Sequence, residues 1–317
     1  MLFRTVNKLM QKSHETRYPP SLSNALLADS FADFFTAKVE KIHTALVARK
    51  RDLSLADDNK LLTNAAELNN FHEVSQEDVK EFAYKPLSKS CCLDPLPASL
   101  LKDCFPVLLP TITRMVNLSL TTGVIPDALK IASLSPTFKK PTAEFKQFTN
   151  FRPISNLKFI SKLIEKSVAV QLTKHVMTNH LDEMFQSAYK EFHSTETALL
   201  RVHNDILCCL DQDKSVILPL LDLSAAFDTV DHAILISRLS NRFGVKGTAL
   251  AWFKSYLTSR QQFVNVEGGM SSRRPLLRGV PQGSGLGPLL YLVYTAPIAD
   301  IIKSMTYYTI CTLVTRT

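Results

Sequence analysis

Three aspartates cluster in the second half of the chain, and their surroundings suggest what they could do. The run Ser215-Val-Ile-Leu-Pro-Leu-Leu is rich in β-formers and predicts a strand that ends on Asp222. A hydrophobic strand that delivers a carboxylate at its carboxyl end is a common way to hold a divalent metal at a sheet edge. The structural alternative is a buried strand running into a polar turn, where aspartate only caps. Asp231 stands where a helix N-cap belongs, ahead of Ile234, Leu235 and Leu239. Asp228 is assigned to the intervening turn and not to a metal.

A second segment, Arg278-Gly-Val-Pro-Gln282-Gly283-Ser-Gly-Leu-Gly287-Pro, holds four of the chain's nine glycines. Glycine is needed where backbone must approach another group closely or take positive φ. Val, Pro, Gln and Leu between the glycines make this a poor flexible linker. Together, strand-Asp-Leu-Ser-Ala-Ala-Phe-Asp and Gly-Val-Pro-Gln-Gly-Ser-x-Leu-Gly-Pro resemble motifs A and B of the reverse transcriptases of non-LTR (LINE-type) retrotransposons. The resemblance extends back through Asn150-Phe-Arg152-Pro-Ile-Ser-Asn156-Leu, Gln186-Ser-Ala-Tyr-Lys190 and His193-Ser-Thr-Glu196-Thr-Ala-Leu-Leu, and more weakly to Asp94-Pro-Leu-Pro. It covers most of residues 90–303.

That resemblance implies an α+β fold: the fingers and partial palm of a right-hand polymerase, with a helical N-terminal region and no thumb. It divides the chain into a helical linker region (1–85), a helical lead-in (86–119) and a reverse transcriptase domain (120–317), with fingers over 120–205 and an incomplete palm over 206–317. The implied reaction is template-directed addition of a dNTP to a primer 3′-OH, with an RNA template and a DNA primer as partners. Magnesium, with manganese as the alternative, would sit on Asp222 and the Leu223 carbonyl, since magnesium prefers one or two carboxylates plus substrate phosphates. Arg152, with Lys139 or Lys140, would clamp the triphosphate, because guanidinium grips phosphate in a bidentate fork. Gln282 and Gly283 would lie beside the nucleotide. Phe227 takes the position of an aromatic gate against a ribose 2′-OH, or else is a core aromatic. Lys158, Lys162 and Lys166 would track a template backbone, or form an ordinary solvated helix face.

The sequence also departs from that pattern. Pro219 interrupts the expected strand, and proline is poorly tolerated in a central one. Gly285 replaces a larger apolar residue. The family continues into a strand ending in Tyr-Ala-Asp-Asp; here the chain reads Tyr307-Tyr-Thr-Ile-Cys311-Thr-Leu-Val-Thr-Arg-Thr317, with no acidic residue after Asp300. Two cations about 3.5–4 Å apart need more than one carboxylate. The expectation is therefore a fragment without polymerase activity of its own, its tail a frameshifted reading. The alternative is a non-catalytic nucleic-acid binder. A phosphotransferase of the haloacid dehalogenase type is disfavoured because its Asp-x-Asp spacing is missing.

Composition agrees with a globular, polyanion-binding chain. There are 317 residues, 45% of them hydrophobic, with a net charge of +8. The cysteines, including the adjacent pairs Cys91-Cys92 and Cys208-Cys209, lack zinc-knuckle spacing, which predicts free thiols, no structural metal and an intracellular protein of nucleus or cytoplasm. Residues 279–299 are uncharged, yet four glycines and three prolines make them buried interior and not a membrane span.

Periodicity predicts an amphipathic helix over 24–47, a capped helix from Ser75, and two helices between Pro97 and Lys130 closed by Gly123. Strands follow at 131–136 and 151–157, then helices at 161–172 and 194–210. A helix from Asp231 to Gly244, another around Trp252 (read as core), a hairpin over 263–278 and a helix over 284–302 complete the chain.

Overall fold

A computed structural model describes residues 18–50, 66–84, 91–140, 144–183, 185–218, 220, 223 and 225–304. Two hydrophobic cores form, one on a mixed sheet and one among the helices. The first helix, α1 (Asn24–Lys50), places Leu27, Ala28, Phe31, Ala32 and Phe35 on one face by their three- and four-residue spacing. That face is buried on Leu134, Phe151, Val264 and Val266 of the sheet, with Phe31 edge-on to Phe151 at 4.9 Å. Burying each such large side chain contributes on the order of 1.5–3 kcal/mol, so α1 is anchored by its aromatic face.

The sheet is built from β1 (Ile131–Phe138), β2 (Phe151–Leu157), β3 (Gln261–Val266), β4 (Gly269–Met270) and β5 (Arg274–Pro275), in the order β2-β1-β3-β4, with β5 also paired to β3. β1 and β2 form an antiparallel hairpin in which Thr137 lies opposite Arg152. β1 pairs with β3 in parallel, Ile131 opposite Gln261. β3 and β4 make the predicted hairpin.

The second core lies among the helices: α2 (Gln76–Ala83), α3 (Ala98–Thr122), α4 (Phe159–Thr178), α6 (His232–Asn241), α7 (Gly247–Leu257) and α8 (Gly287–Thr295). Trp252 is fully buried there, and its Nε1–H donates to Ser119 Oγ at 3.1 Å, as a core tryptophan requires. α5 (Thr195–Leu210) lies on the surface between α4 and α6 in sequence, and α9 (Pro297–Ser304) closes the described chain. No described helix is long and apolar enough to cross a membrane. Within 279–299, Leu290, Tyr291 and Val293 are buried core.

Local capping chemistry sets the helix starts. Ser75 and Asp78 form a reciprocal capping box, Ser194 and Thr197 another, and the Asp231 carboxylate accepts the Ile234 N–H at 3.0 Å. α4 lacks a cap of its own; the Asp94 carboxylate supplies it from a distance, accepting the Phe159 N–H at 2.8 Å.

Three expectations need correction. Where two helices are expected between Pro97 and Lys130, one 25-residue helix runs from Ala98 to Thr122, with Pro106 and Pro110 inside it. Both prolines are exposed, so the carbonyls they leave unbonded face water, and Gly123 ends the helix in the left-handed region (φ 68°) as expected. The helix expected over 284–302 breaks at Pro297, which has no N–H to continue the ladder. Residues 215–218 form no strand; Ile217 and Leu220 lie in solvent. No described strand pairs with them, and an unpaired strand in water gains nothing over coil.

Candidate functional site

The glycine segment is the hub of the site. Gly279 takes φ 84°, and a Cβ there would meet the Asp228 and Phe227 carbonyls at 2.7 and 2.8 Å, so only glycine fits. The Gly279 N–H donates to the Val230 carbonyl at 2.7 Å and the Val280 N–H to the Phe227 carbonyl at 2.9 Å. His232 Nε2–H donates to the Gly279 carbonyl at 2.7 Å, and burial holds its imidazole below the usual histidine range. Farther along, the Ser155 N–H of β2 donates to the Gln282 carbonyl at 2.6 Å, and Gly283 (φ 108°) leaves no room for a Cβ beside the Ser155 carbonyl at 3.0 Å. The loop thus bridges the turn around Phe227 and the β-hairpin carrying Arg152.

Beneath the loop lies a buried polar network. Glu165 of α4 is 1% exposed; it accepts the Tyr256 O–H at 2.7 Å and the Gly285 N–H at 3.1 Å. Burial raises the Glu165 carboxyl, opposed in part by the Arg260 guanidinium. Arg260 is buried too, stacked 4.5 Å over the Tyr256 ring. The sequence carries a signal for this network: Ser161, Glu165, Val168 and Leu172 repeat at core spacing, so a glutamate stands in an apolar stripe.

The candidate residues divide as follows. Lys139 and Lys140 are exposed just past the end of β1, and Arg152 is half-buried near the start of β2, so the hairpin brings these cations together. Burial lowers Lys139, and so does repulsion from Lys38 and Arg152. Phe227 is half-buried with its ring 5.1 Å from that of Tyr291, whose own hydroxyl is pushed up to about 12 by burial. Gln282 and Gly283 meet β2, as described above. Lys158, Lys162 and Lys166 stand four residues apart at the start of α4, the last of them exposed. Leu223 is exposed, whereas Asp222 lies outside the described residues.

Asp228 keeps the turn position that the sequence suggested. It lies in the turn, with its N–H on the Ala225 carbonyl at 2.9 Å, but its side chain also faces charge. Burial pushes its carboxyl up to about 6, and Lys38 and Lys139 pull the other way. Among the described residues no cluster of three or more His, Cys, Asp or Glu could hold a metal ion. The described carboxylate of the cleft faces lysines, so the described donors alone do not make a cation site.

A mixed sheet whose basic hairpin lies against a glycine loop, packed with helices, defines an α+β protein. Residues 138–313, more than half of the chain, match the reverse transcriptase (RNA-dependent DNA polymerase) family, and the chain belongs to that family. It is 31% identical over 223 residues to a probable RNA-directed DNA polymerase from transposon BS of Drosophila melanogaster, covering 70% of this chain and 24% of that protein. It is also 31% identical over 227 residues to the RNA-directed DNA polymerase from mobile element jockey of the same organism, again 70% and 24%. The probable RNA-directed DNA polymerase from transposon X-element matches at 31% over 184 residues, 58% of this chain and 20% of that protein. The chain spans about a quarter of the length of these relatives.

Proposed function

We propose that the chain carries the nucleotide-binding part of an RNA-directed DNA polymerase of a retrotransposon, in which a primer 3′-OH attacks a dNTP opposite an RNA template. One observation carries the reading: the Ser155–Gln282 hydrogen bond sets the glycine loop against the hairpin that presents Arg152 and Lys139. In this reading Arg152, Lys139 and Lys140 hold the triphosphate, Gln282 and Gly283 line the nucleotide, Phe227 borders the sugar, and Lys158, Lys162 and Lys166 lie along the template. Residues 120–205 then correspond to fingers and 206–317 to palm, preceded by a lead-in (86–119) and a helical linker region (1–85).

The family's chemistry uses divalent metal. Asp222 and the Leu223 carbonyl are the residues we assign to magnesium, which would neutralise the charge developing on the transferred phosphate. The chain's own contribution is to bind and orient: a bidentate guanidinium fixes the phosphates, and a loop held by Glu165 and Ser155 fixes the base side. Two cations need more than one carboxylate, and Asp222 is the one carboxylate we assign to them, so in this reading these residues bind substrates without turning them over.

The test is a primer-extension assay on an RNA-templated DNA primer, run beside direct binding. Expected are salt-dependent binding of the primer–template and saturable Mg·dTTP binding, with no incorporation. Incorporation abolished by Asp222→Asn would overturn the claim of no turnover. Nucleic-acid binding with no affinity for Mg·dTTP would favour the non-catalytic reading instead.

A further inference from the structure

The N-terminal helix reaches the same cleft. Phe34 of α1 packs against Phe148 at 5.7 Å between ring centroids, beside the hairpin tip where the Lys139 N–H meets the Asn150 carbonyl at 2.9 Å. Lys38 lies one turn beyond Phe34 on the same side of the helix and is half-buried. On the next positions Glu40 pairs with Arg278 at 3.0 Å, the residue that opens the glycine loop. Farther back, Asp33 pairs with Arg274 at 2.7 Å, and Asp29 accepts from Ser272 at 2.8 Å. α1 is therefore pinned to the hairpin tip by aromatic rings and to the loop lead-in by ion pairs, with Lys38 held between. Resting on the reading above, we propose that Lys38 is a phosphate-binding residue of the nucleotide site, a third cation beside Arg152 and Lys139.

The charge pattern supports this. Lys139 feels repulsion from both Lys38 and Arg152, and Lys38 and Lys139 both act on one described carboxylate, that of Asp228. Cations gathered around one carboxylate leave an excess of positive charge that a triphosphate satisfies. Lys38 also gives α1 a purpose beyond covering the sheet. The aromatic and ionic anchors of α1 fix the backbone that carries this lysine, which lowers the ordering cost of binding.

The experiment titrates the 317-residue chain with inorganic triphosphate, without metal, and with Mg·dTTP, by isothermal calorimetry. Lys38→Gln should weaken both ligands by on the order of tenfold, the scale expected for losing a charge-assisted hydrogen bond. Lys38→Arg should restore most of the affinity. Lys41→Gln, an exposed neighbour on the same helix, should leave it unchanged. Arg152→Gln serves as the test of the underlying reading. If Arg152→Gln weakens binding and Lys38→Gln does not, the inference fails and the reading stands. If neither ligand binds, or Arg152→Gln changes nothing, the reading fails and Lys38 loses its role with it.

Discussion

α1 and α5 are both helices with apolar residues at helical spacing, yet they meet opposite fates. α1 buries Leu27, Phe31 and Phe35 on the sheet, whereas α5 buries only Ala198 and leaves Leu199, Leu200, Leu207 and Leu210 in solvent. The stretch that follows α5 is equally bare, with Ile217 at 91% and Leu220 at 85% exposure. The difference is not in propensity, since both helices are well formed. It lies in the partner: α1 finds a sheet with an aromatic surface, and α5 finds no comparable one among the described residues. Amphipathic pattern makes a helix, and packing gives it stability.

The comparison can be broken most forcefully at Phe31. Phe31→Ala should destabilise the chain by about 3–5 kcal/mol in denaturant unfolding, since the ring sits at the centre of the sheet-side core. Leu207→Ala on the exposed face of α5 should shift stability by no more than about 0.5 kcal/mol. Equal effects would mean that the two helices are alike after all. Glu165→Gln comes next. It keeps the volume but turns an amide N–H₂ toward either the Tyr256 hydroxyl or the Gly285 N–H, and should cost about 1–3 kcal/mol. Hydrogen exchange at the glycine loop should rise with it.

Asp228 sharpens the electrostatic side. Its folded carboxyl titrates at about 6, above the ordinary value of 3.8, so its ionised form is penalised in the fold at neutral pH. Stability should therefore gain as pH falls through about 6 toward 4, and Asp228→Asn should remove that part of the gain; a thermal melting series over pH 4–8 reads it out. Ser194→Ala is the smallest of the set. Loss of the capping box should cost about 1 kcal/mol of local helix stability, seen as faster exchange in the first turn of α5 with little change in global unfolding.

Much of this architecture is legible in the sequence, and the parts that are not share a physical cause. Ser75, Ser194 and Asp231 announce helix starts because capping is decided within four residues. The β1–β2 hairpin is legible because its two strands follow one another in the chain. The parallel pairing of β1 with β3 is not, because Ile131 and Gln261 meet only after the intervening chain has folded. Proline positions mislead at α3: Pro106 and Pro110 look like helix ends, but exposure of the freed carbonyls makes the break unnecessary. At the site, Arg152, Gln282 and Gly283 are read from their motifs, and the structure sets Gln282 and Gly283 against Ser155 on the strand that carries Arg152. Lys38 is not, since a lysine on an amphipathic helix gains meaning only from what packs beside it.

The central claim is that hairpin and glycine loop are two walls of one nucleotide cleft. Hydrogen-exchange mass spectrometry of the chain with and without Mg·dTTP tests it directly. The account predicts protection of residues 148–157 and 278–287 together, at the same ligand concentration. Protection of one segment with the other unchanged would contradict it.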